Sequence, residues 1–285
     1  MSKDYIIQKA VEPGKVVKKA RLTLEQYGQT HMAFRKYDGC CAILMDGQTF
    51  SRTGEEYQCL NGVARFLAEQ YPDVVFIGEA WWPGKDQFNL ISGEFRRQCE
   101  SDKLWFMIHD VIPRIDFDRG VCTMSFKDRE ADLIDGGEID GAMGRIFLAQ
   151  GWGQGRYGDP QDKCNELVDE GGYDGLVLRD PDAGWEVGSG TQGGIIKIKR
   201  KLSFDLEVLE VNTAVGGKTG RTVYKLVVDF KGQRLGVGSG VPHKLADVPK
   251  VGDIVEVEAM DYSSDGLLRE PRYKGVRFDK AAPDR

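Results

Sequence analysis

Lys36-Tyr37-Asp38-Gly39 sets a lysine beside a carboxylate and a turn glycine. A lysine amine becomes a nucleophile when desolvation or neighbouring cations lower its pKa. Alone, these four residues describe a surface turn as readily as a catalytic one. What gives them weight is the ordered series that follows. Ser51-Arg52-Thr53-Gly54 comes first, then Ile77-Gly78-Glu79 and His109-Asp110, both closing apolar runs. Next are Tyr173-Asp174-Gly175-Leu176-Val177-Leu178-Arg179 and Ile195-Ile196-Lys197-Ile198-Lys199. Gly266-Leu267-Leu268-Arg269-Glu270-Pro271-Arg272 and Arg277-Phe278-Asp279-Lys280 end the series. Lys197 and Lys199 are two apart in a strand pattern, so they share a face. Together, and with a bound metal, they could bind one anionic group and depress the pKa of Lys36. Glu79 and Asp174 sit at the ends of different strands and are hard oxygen ligands suited to Mg²⁺ or to sugar hydroxyls.

The elements that must position these groups can be read from periodicity. Ala33–Leu44, Val74–Trp82, Leu104–Ile112, Gly175–Arg179 and Ile195–Lys199 read as strands. Leu60, Val63, Phe66 and Leu67 have helical spacing. Asp159 and Pro160 open a second helix that Gly171-Gly172 closes. A third runs from Ser125 to Gly136-Gly137. After about Leu202 the texture changes to five short period-two runs: Asp205–Val215, Thr222–Phe230, Gln233–Val237, Asp253–Asp261 and Lys274–Asp279. Such spacing suits a small barrel such as an OB-fold. The expected fold is therefore α+β: residues 1–202 as one domain of antiparallel sheets and helices, residues 203–285 as a small all-β domain. The basic stretch at Lys199–Leu202 would be the hinge.

Composition narrows the class. The chain has 285 residues, 41% hydrophobic and 29% charged, with a net charge of −6. These values exclude a disordered or collagen-like chain. Glycine, at 36 residues, is well above the usual ~7% and favours strand-rich architecture with many turns. No apolar run approaches the ~18 residues of a membrane span, and no secretory signal opens the chain. Cys40, Cys41, Cys59, Cys99, Cys122 and Cys164 form no Cys-x-x-Cys pair and stand with only three histidines. A structural zinc site is therefore not expected, and reduced cytoplasmic thiols are. An acidic chain is not a general nucleic-acid binder, but clusters such as Lys197–Lys201 and Arg269–Lys280 can still hold phosphates in a cleft.

The ordered motifs resemble those of the covalent nucleotidyltransferases, specifically the small bacteriophage-type ATP-dependent DNA ligases, over residues 30 to 280. The resemblance implies an adenylation (nucleotidyltransferase) domain followed by an OB domain, acting on nicked duplex DNA with ATP and Mg²⁺, Mn²⁺ being able to substitute. It implies Lys36 as the nucleophile that becomes lysyl-AMP. Asp38 would lie near the reacting phosphate, with Lys197 and Lys199 at the α-phosphate. Arg52 would contact phosphate, while Glu79 and Asp174 would serve the metal or the ribose. His109 would stack on adenine, and Arg277 and Lys280 would orient the leaving pyrophosphate. Arg96 and Arg97, with Phe88-Asn89 and Ser92-Gly93, resemble a phage-type segment and would touch DNA phosphates. Arg269 and Arg272 would do the same from the second domain. A monomer in the cytoplasm, or in the host cytoplasm for a viral enzyme, is expected.

Three positions depart from the family pattern. Cys41 stands where an arginine is usual. Asp174 replaces glutamate, with Arg179 where lysine is common. His109 replaces a phenylalanine or tyrosine. Two other readings use the same residues: an RNA ligase or mRNA-capping guanylyltransferase, and, from a different class, a non-catalytic OB-type nucleic-acid-binding protein. The Gly266–Arg272 and Arg277–Lys280 motifs look more like DNA ligase than the first. A binding module has no use for a desolvated lysine, which disfavours the second.

Overall fold

The computed structural model describes residues 5–84, 87–135, 139–188, 190–215, 220, 222–263, 265–280 and 282–284, with the side chains of 132–135 left out. Residue contacts divide the chain into Met1–Lys199 and Arg200–Arg285, a division three residues before the one that sequence texture suggests.

In the first unit the chain runs through α1 (Leu24–Thr30), β1 (Met32–Tyr37), β2 (Cys40–Met45), β3 (Gln48–Ser51), β4 (Glu56–Tyr57) and α2 (Asn61–Gln70). β5 (Val74–Trp81), α3 (Phe88–Phe95), β6 (Trp105–Pro113), α4 (Arg114–Arg119), β7 (Val121–Cys122) and α5 (Phe126–Asp135) follow. β8 (Ile146–Leu148), β9 (Gly151–Trp152), α6 (Pro160–Glu170), β10 (Tyr173–Arg179), β11 (Trp185–Glu186) and β12 (Ile195–Ile198) complete it. The caps explain several boundaries. Thr23 and Gln26 form a capping box at α1. At α6 the Asp159 side chain accepts from the amides of Gln161 and Asp162 at 2.8 and 3.1 Å, ahead of Pro160. α5 starts as expected beside Ser125, whose hydroxyl accepts from the Asp128 amide; its expected stop at Gly136-Gly137 lies outside the described residues.

The stretch 33–44, expected as one strand, is two strands in two sheets. β1 belongs to a four-stranded sheet, β12-β10-β1-β9, and β2 to a six-stranded sheet, β4-β3-β2-β5-β6-β8. The turn at Asp38-Gly39 makes the crossing. A Cβ on Gly39 would stand 2.3 Å from the Ala80 carbonyl, so only glycine allows the turn to press against β5. α2 and α3 cover one face of the six-stranded sheet with Val63, Leu67, Ile91 and Phe95 over Ala42, Leu44 and Phe106. Ile43, Val75, Ile77 and Ile112 fill a cluster on its other face. α1 and α6 bury Tyr27 and Leu167 against Ala33, Leu176, Leu178, Ile196 and Ile198 of the four-stranded sheet. Each such side chain contributes about 1.5–3 kcal/mol on burial. Because neighbours in a strand alternate, Cys40 packs toward the α2–α3 side and Cys41 toward the opposite cluster. All six cysteines are free thiols.

The second unit contains β13 (Leu202–Val215), β14 (Thr222–Phe230), β15 (Gln233–Val237), β16 (Ile254–Ala259), β17 (Asp261–Tyr262), β18 (Leu268–Arg269) and β19 (Arg272–Val276). β13 is long enough to serve two partners, β16 with its first half and β14 with its second. The sheet runs β15-β14-β13-β16-β19, and a bridge between Ser239 and Arg272 brings its two edges together. Leu206, Val208, Leu226, Val228, Val255 and Val257 fill the interior. This is the OB-type five-stranded barrel that the period-two pattern suggests. Boundaries move at both ends: β13 begins at Leu202 rather than Asp205, and the last strand runs Arg272–Val276 rather than Lys274–Asp279. Residues 277–280 therefore form a turn, closed by the Lys280 amide donating to the Arg277 carbonyl at 3.1 Å. Among the described residues no helix is long and apolar enough to cross a membrane.

Candidate active site

β10 pairs with β1 on one side and β12 on the other. Lys36 falls opposite Gly175, at a register shift that ends regular pairing before Tyr37. Gly175 has φ +143°, and a Cβ there would come within 2.1 Å of the Ile198 carbonyl. Such close approach of β12 brings three charged side chains together. Asp174 bridges two ammonium groups, with Lys36 Nζ at 2.7 Å from Oδ1 and Lys199 Nζ at 3.1 Å from Oδ2. Ile196 and Ile198 are buried in the core, so Lys197 shares the Lys199 side of the strand, as their spacing requires. Among the described residues Lys197 has no salt-bridge partner. Burial and the Lys199 charge push its pKa down, against Glu12.

The six-stranded sheet supplies the other groups. Glu79 on β5 lies directly opposite Cys41 on β2. Burial, and then the charges of Asp174 and Asp38, push the Glu79 carboxyl up to about 8 despite Lys36 and Arg52. Lys36 lies among carboxylates. Burial favours its neutral form, but the carboxylates of Asp174, Glu79 and Asp38 outweigh burial and hold its pKa above the ordinary lysine value. Asp38 sits half-buried in the crossing turn, its amide donating to the Gly172 carbonyl at 3.1 Å. Arg52 is exposed after β3, its guanidinium 5.3 Å from the centre of the Tyr5 ring. The His109 ring on β6 lies 6.0 Å from that of Tyr37 at a 35° tilt. Burial, then Arg179 and Lys36, push its pKa down to about 3, so it is neutral near pH 7. Among the described residues its Nε2 has no hydrogen-bond partner.

No protein-family model matches the chain, and no curated protein matches it in sequence. Solved structures do match. A DNA ligase from a structure–function study of Lig E enzymes superposes with a TM-score of 0.73 at 19% identity, covering 95% of this chain and 98% of its own. The bacteriophage T7 ATP-dependent DNA ligase complexed with ATP gives 0.55 at 17% identity, covering 97% and 100%. Chlorella virus DNA ligase–adenylate gives 0.50 at 16%, covering 95% and 98%. The chain has the fold of the ATP-dependent DNA ligases.

Within the ligase fold the three departures acquire physical meaning. Cys41 cannot supply the arginine's positive charge, and it adds no negative one, because burial and the facing Glu79 push its thiol well up and keep it neutral. Arg179 does not join the Lys36 cluster. It pairs with Asp110, and its Nη1 donates to the His109 carbonyl at 2.8 Å. Arg129 of α5, only 1% exposed, donates to the same Asp110 carboxylate from Nε at 2.8 Å and Nη2 at 3.0 Å. This buried clamp ties β6 to β10 and so fixes His109. Sequence reasoning missed Arg129, and the only signal was a carboxylate closing an apolar strand. Tyr5, which stacks on Arg52, was also missed.

Arg96 and Arg97 are exposed at the end of α3, and Arg97 pairs with Glu94 at 3.2 Å. In the second unit Arg269 lies on β18 opposite Asp261 and Arg272 on β19. Arg277 and Lys280 are both ion-paired to Asp205.

Among the described residues no three His, Cys, Asp or Glu side chains converge as a metal cage. Glu79, Asp174 and Asp38 do crowd negative charge, as the Glu79 shift records. A divalent ion would fit there on one or two carboxylates, with water and phosphate oxygens completing its shell, the usual habit of Mg²⁺. The same crowding predicts a pH effect. Glu79 binds its proton more tightly in the folded chain, at about 8 against 4.5 unperturbed. Its contribution to stability therefore falls as pH rises between those values. Glu79→Gln cannot ionise, so its melting temperature should gain on wild type between about pH 5 and about pH 8. A difference independent of pH in thermal melts would show that Glu79 is not strained by its neighbours.

Proposed function

We propose that the protein is an ATP-dependent DNA ligase that seals 3′-OH/5′-phosphate nicks in duplex DNA as a cytoplasmic monomer. The observation that carries this reading is the Lys36–Asp174–Lys199 bridge, with Lys197 and Glu79 beside it, in a ligase fold. In the first step Lys36 Nζ, having lost its proton, attacks the α-phosphorus of ATP. The P–N bond forms as the bond to the pyrophosphate oxygen breaks. Lys197 and Lys199 neutralise charge at the α-phosphate, and Arg52 binds phosphate. Asp38 stands near the reacting phosphate, and the neutral His109 ring stacks on adenine. Arg277 and Lys280 orient the departing pyrophosphate. Next, an oxygen of the nick 5′-phosphate attacks the AMP phosphorus and frees Lys36. Finally the 3′-hydroxyl attacks the activated 5′-phosphate and AMP leaves. Glu79 and Asp174 would hold Mg²⁺, which supplies further charge neutralisation at phosphate oxygens. Arg96, Arg97, Arg269 and Arg272 bind backbone phosphates without reading sequence.

The test is a mass measurement of the protein after incubation with ATP and Mg²⁺, followed by addition of nicked DNA. A gain of one AMP, discharged only by the nick with joined product, is expected. A GMP adduct, or joining confined to RNA strands, would move the protein to one of the related nucleotidyltransferase classes. No adduct with any nucleotide would end the enzymatic reading.

A further inference from the structure

The turn after β19 carries Arg277 and Lys280, and both are held by carboxylates of their own unit. Asp205 of β13 is only 5% exposed. Arg277 Nη1 donates to both its oxygens, at 3.0 and 2.9 Å, and Lys280 Nζ pairs with Oδ2. Two more carboxylates join. Arg277 donates through Nε and Nη2 to Asp279 at 2.9 and 2.7 Å. Lys280 Nζ donates to Asp284 Oδ1 at 3.0 Å. Asp284 is itself tied back to β13. Its amide donates to the Asp205 carbonyl at 2.7 Å, and its Oδ2 accepts from the Asp205 amide at 2.8 Å.

The three carboxylates are not equivalent. Asp205 is buried, and a buried carboxylate is stable only while its cations stay with it. It therefore fixes a guanidinium and an ammonium side by side, removing rotamer freedom they would otherwise lose on meeting a ligand. Asp279 and Asp284 are exposed. Three anions on two cations leave an excess negative charge, a poor surface for a triphosphate unless one anion withdraws. Asp284 is the one suited to do so. It makes a single ammonium contact, and a carboxylate oxygen and a phosphate oxygen are interchangeable acceptors at such a distance.

We infer that Asp205 is a positioning residue that presents Arg277 and Lys280 to the triphosphate of ATP, and that Asp284 occupies on Lys280 the place a phosphate oxygen takes. The inference rests on the ligase reading, specifically on Arg277 and Lys280 acting in the ATP step. It gives opposite signs for two carboxylates bound to the same lysine.

The experiment uses the full chain. Enzyme–AMP formation from labelled ATP is followed over a range of ATP concentrations, and sealing of a pre-adenylylated nick is followed without ATP. Asp205→Asn should slow enzyme–AMP formation at saturating ATP about tenfold or more, with sealing of the pre-adenylylated nick unchanged. Asp284→Asn should lower the apparent KM for ATP by about threefold, because phosphate no longer competes with a tethered carboxylate. Wild-type ATP kinetics in Asp205→Asn, or equal loss of both steps, would overturn the positioning role. A raised KM in Asp284→Asn would overturn the stand-in role. If wild type itself forms no adduct, the ligase reading has failed, a result separate from either of these.

Discussion

Lys36→Ala is expected to form no AMP adduct at all and to seal no nick that is not already adenylylated. No other side chain should substitute. Lys197 on β12 and Lys199 just after it come from two strands across the sheet from β1, and Lys199 is held by Asp174 at 3.1 Å. The fold should survive, because Lys36 is the penultimate residue of β1 and the buried side chains of that strand are Ala33, Phe34 and Tyr37. Asp174 loses one of its cations and keeps the other, a change worth about 1–3 kcal/mol of stability. The measurement is peptide mapping of the labelled protein after incubation with ATP, with a thermal melt as control for folding. An adduct persisting in a folded Lys36→Ala protein, or mapping to Lys197 or Lys199 in wild type, would refute the assignment.

The second large effect concerns Asp174. Burial opposes its charge, but Lys36 and Lys199 hold its carboxyl below the usual carboxylate range. The same pairing keeps Lys36 protonated. The nucleotide, with its own anionic phosphates, must therefore compete for Lys36 before the amine can lose its proton. Asp174→Asn removes the carboxylate and leaves two ammonium groups facing each other. Enzyme–AMP formation in this variant should shift its pH profile to lower pH, because the Lys36 pKa falls. Sealing of a pre-adenylylated nick should nonetheless drop by about a hundredfold, the scale of a lost charged ligand at a metal-assisted step. Asp174→Glu restores the charge, and with it the residue more usual in the family, and should stay within about tenfold of wild type. Sealing rates over a Mg²⁺ titration separate the cases. An Asn variant that matches wild type at every Mg²⁺ concentration, with an unmoved pH profile, would make Asp174 a structural ion-pair partner only.

Local chemistry made much of this protein legible in its sequence. Asp159-Pro160 and Gly171 bracket a helix because capping is settled within a few residues. The period-two runs after Leu202 become a barrel because each run buries one face. The spacing of Lys197 and Lys199 sets their common side because strand geometry alternates. The order of the short motifs pointed to the ligase fold over nearly the whole chain. What tertiary structure decided was which charges meet. The partners of Asp110 lie 19 and 69 residues away, and those of Asp205 are separated from it by a complete barrel circuit. Lys36 is held protonated because Asp174, far along the chain, arrives with the neighbouring strand. Desolvation and Coulomb energy depend on distances of a few ångströms and on what excludes water. No window of sequence contains either quantity, so Cys41 as a protonated thiol, His109 as a neutral ring and the tethering of Arg277 and Lys280 emerge only when the sheets are assembled.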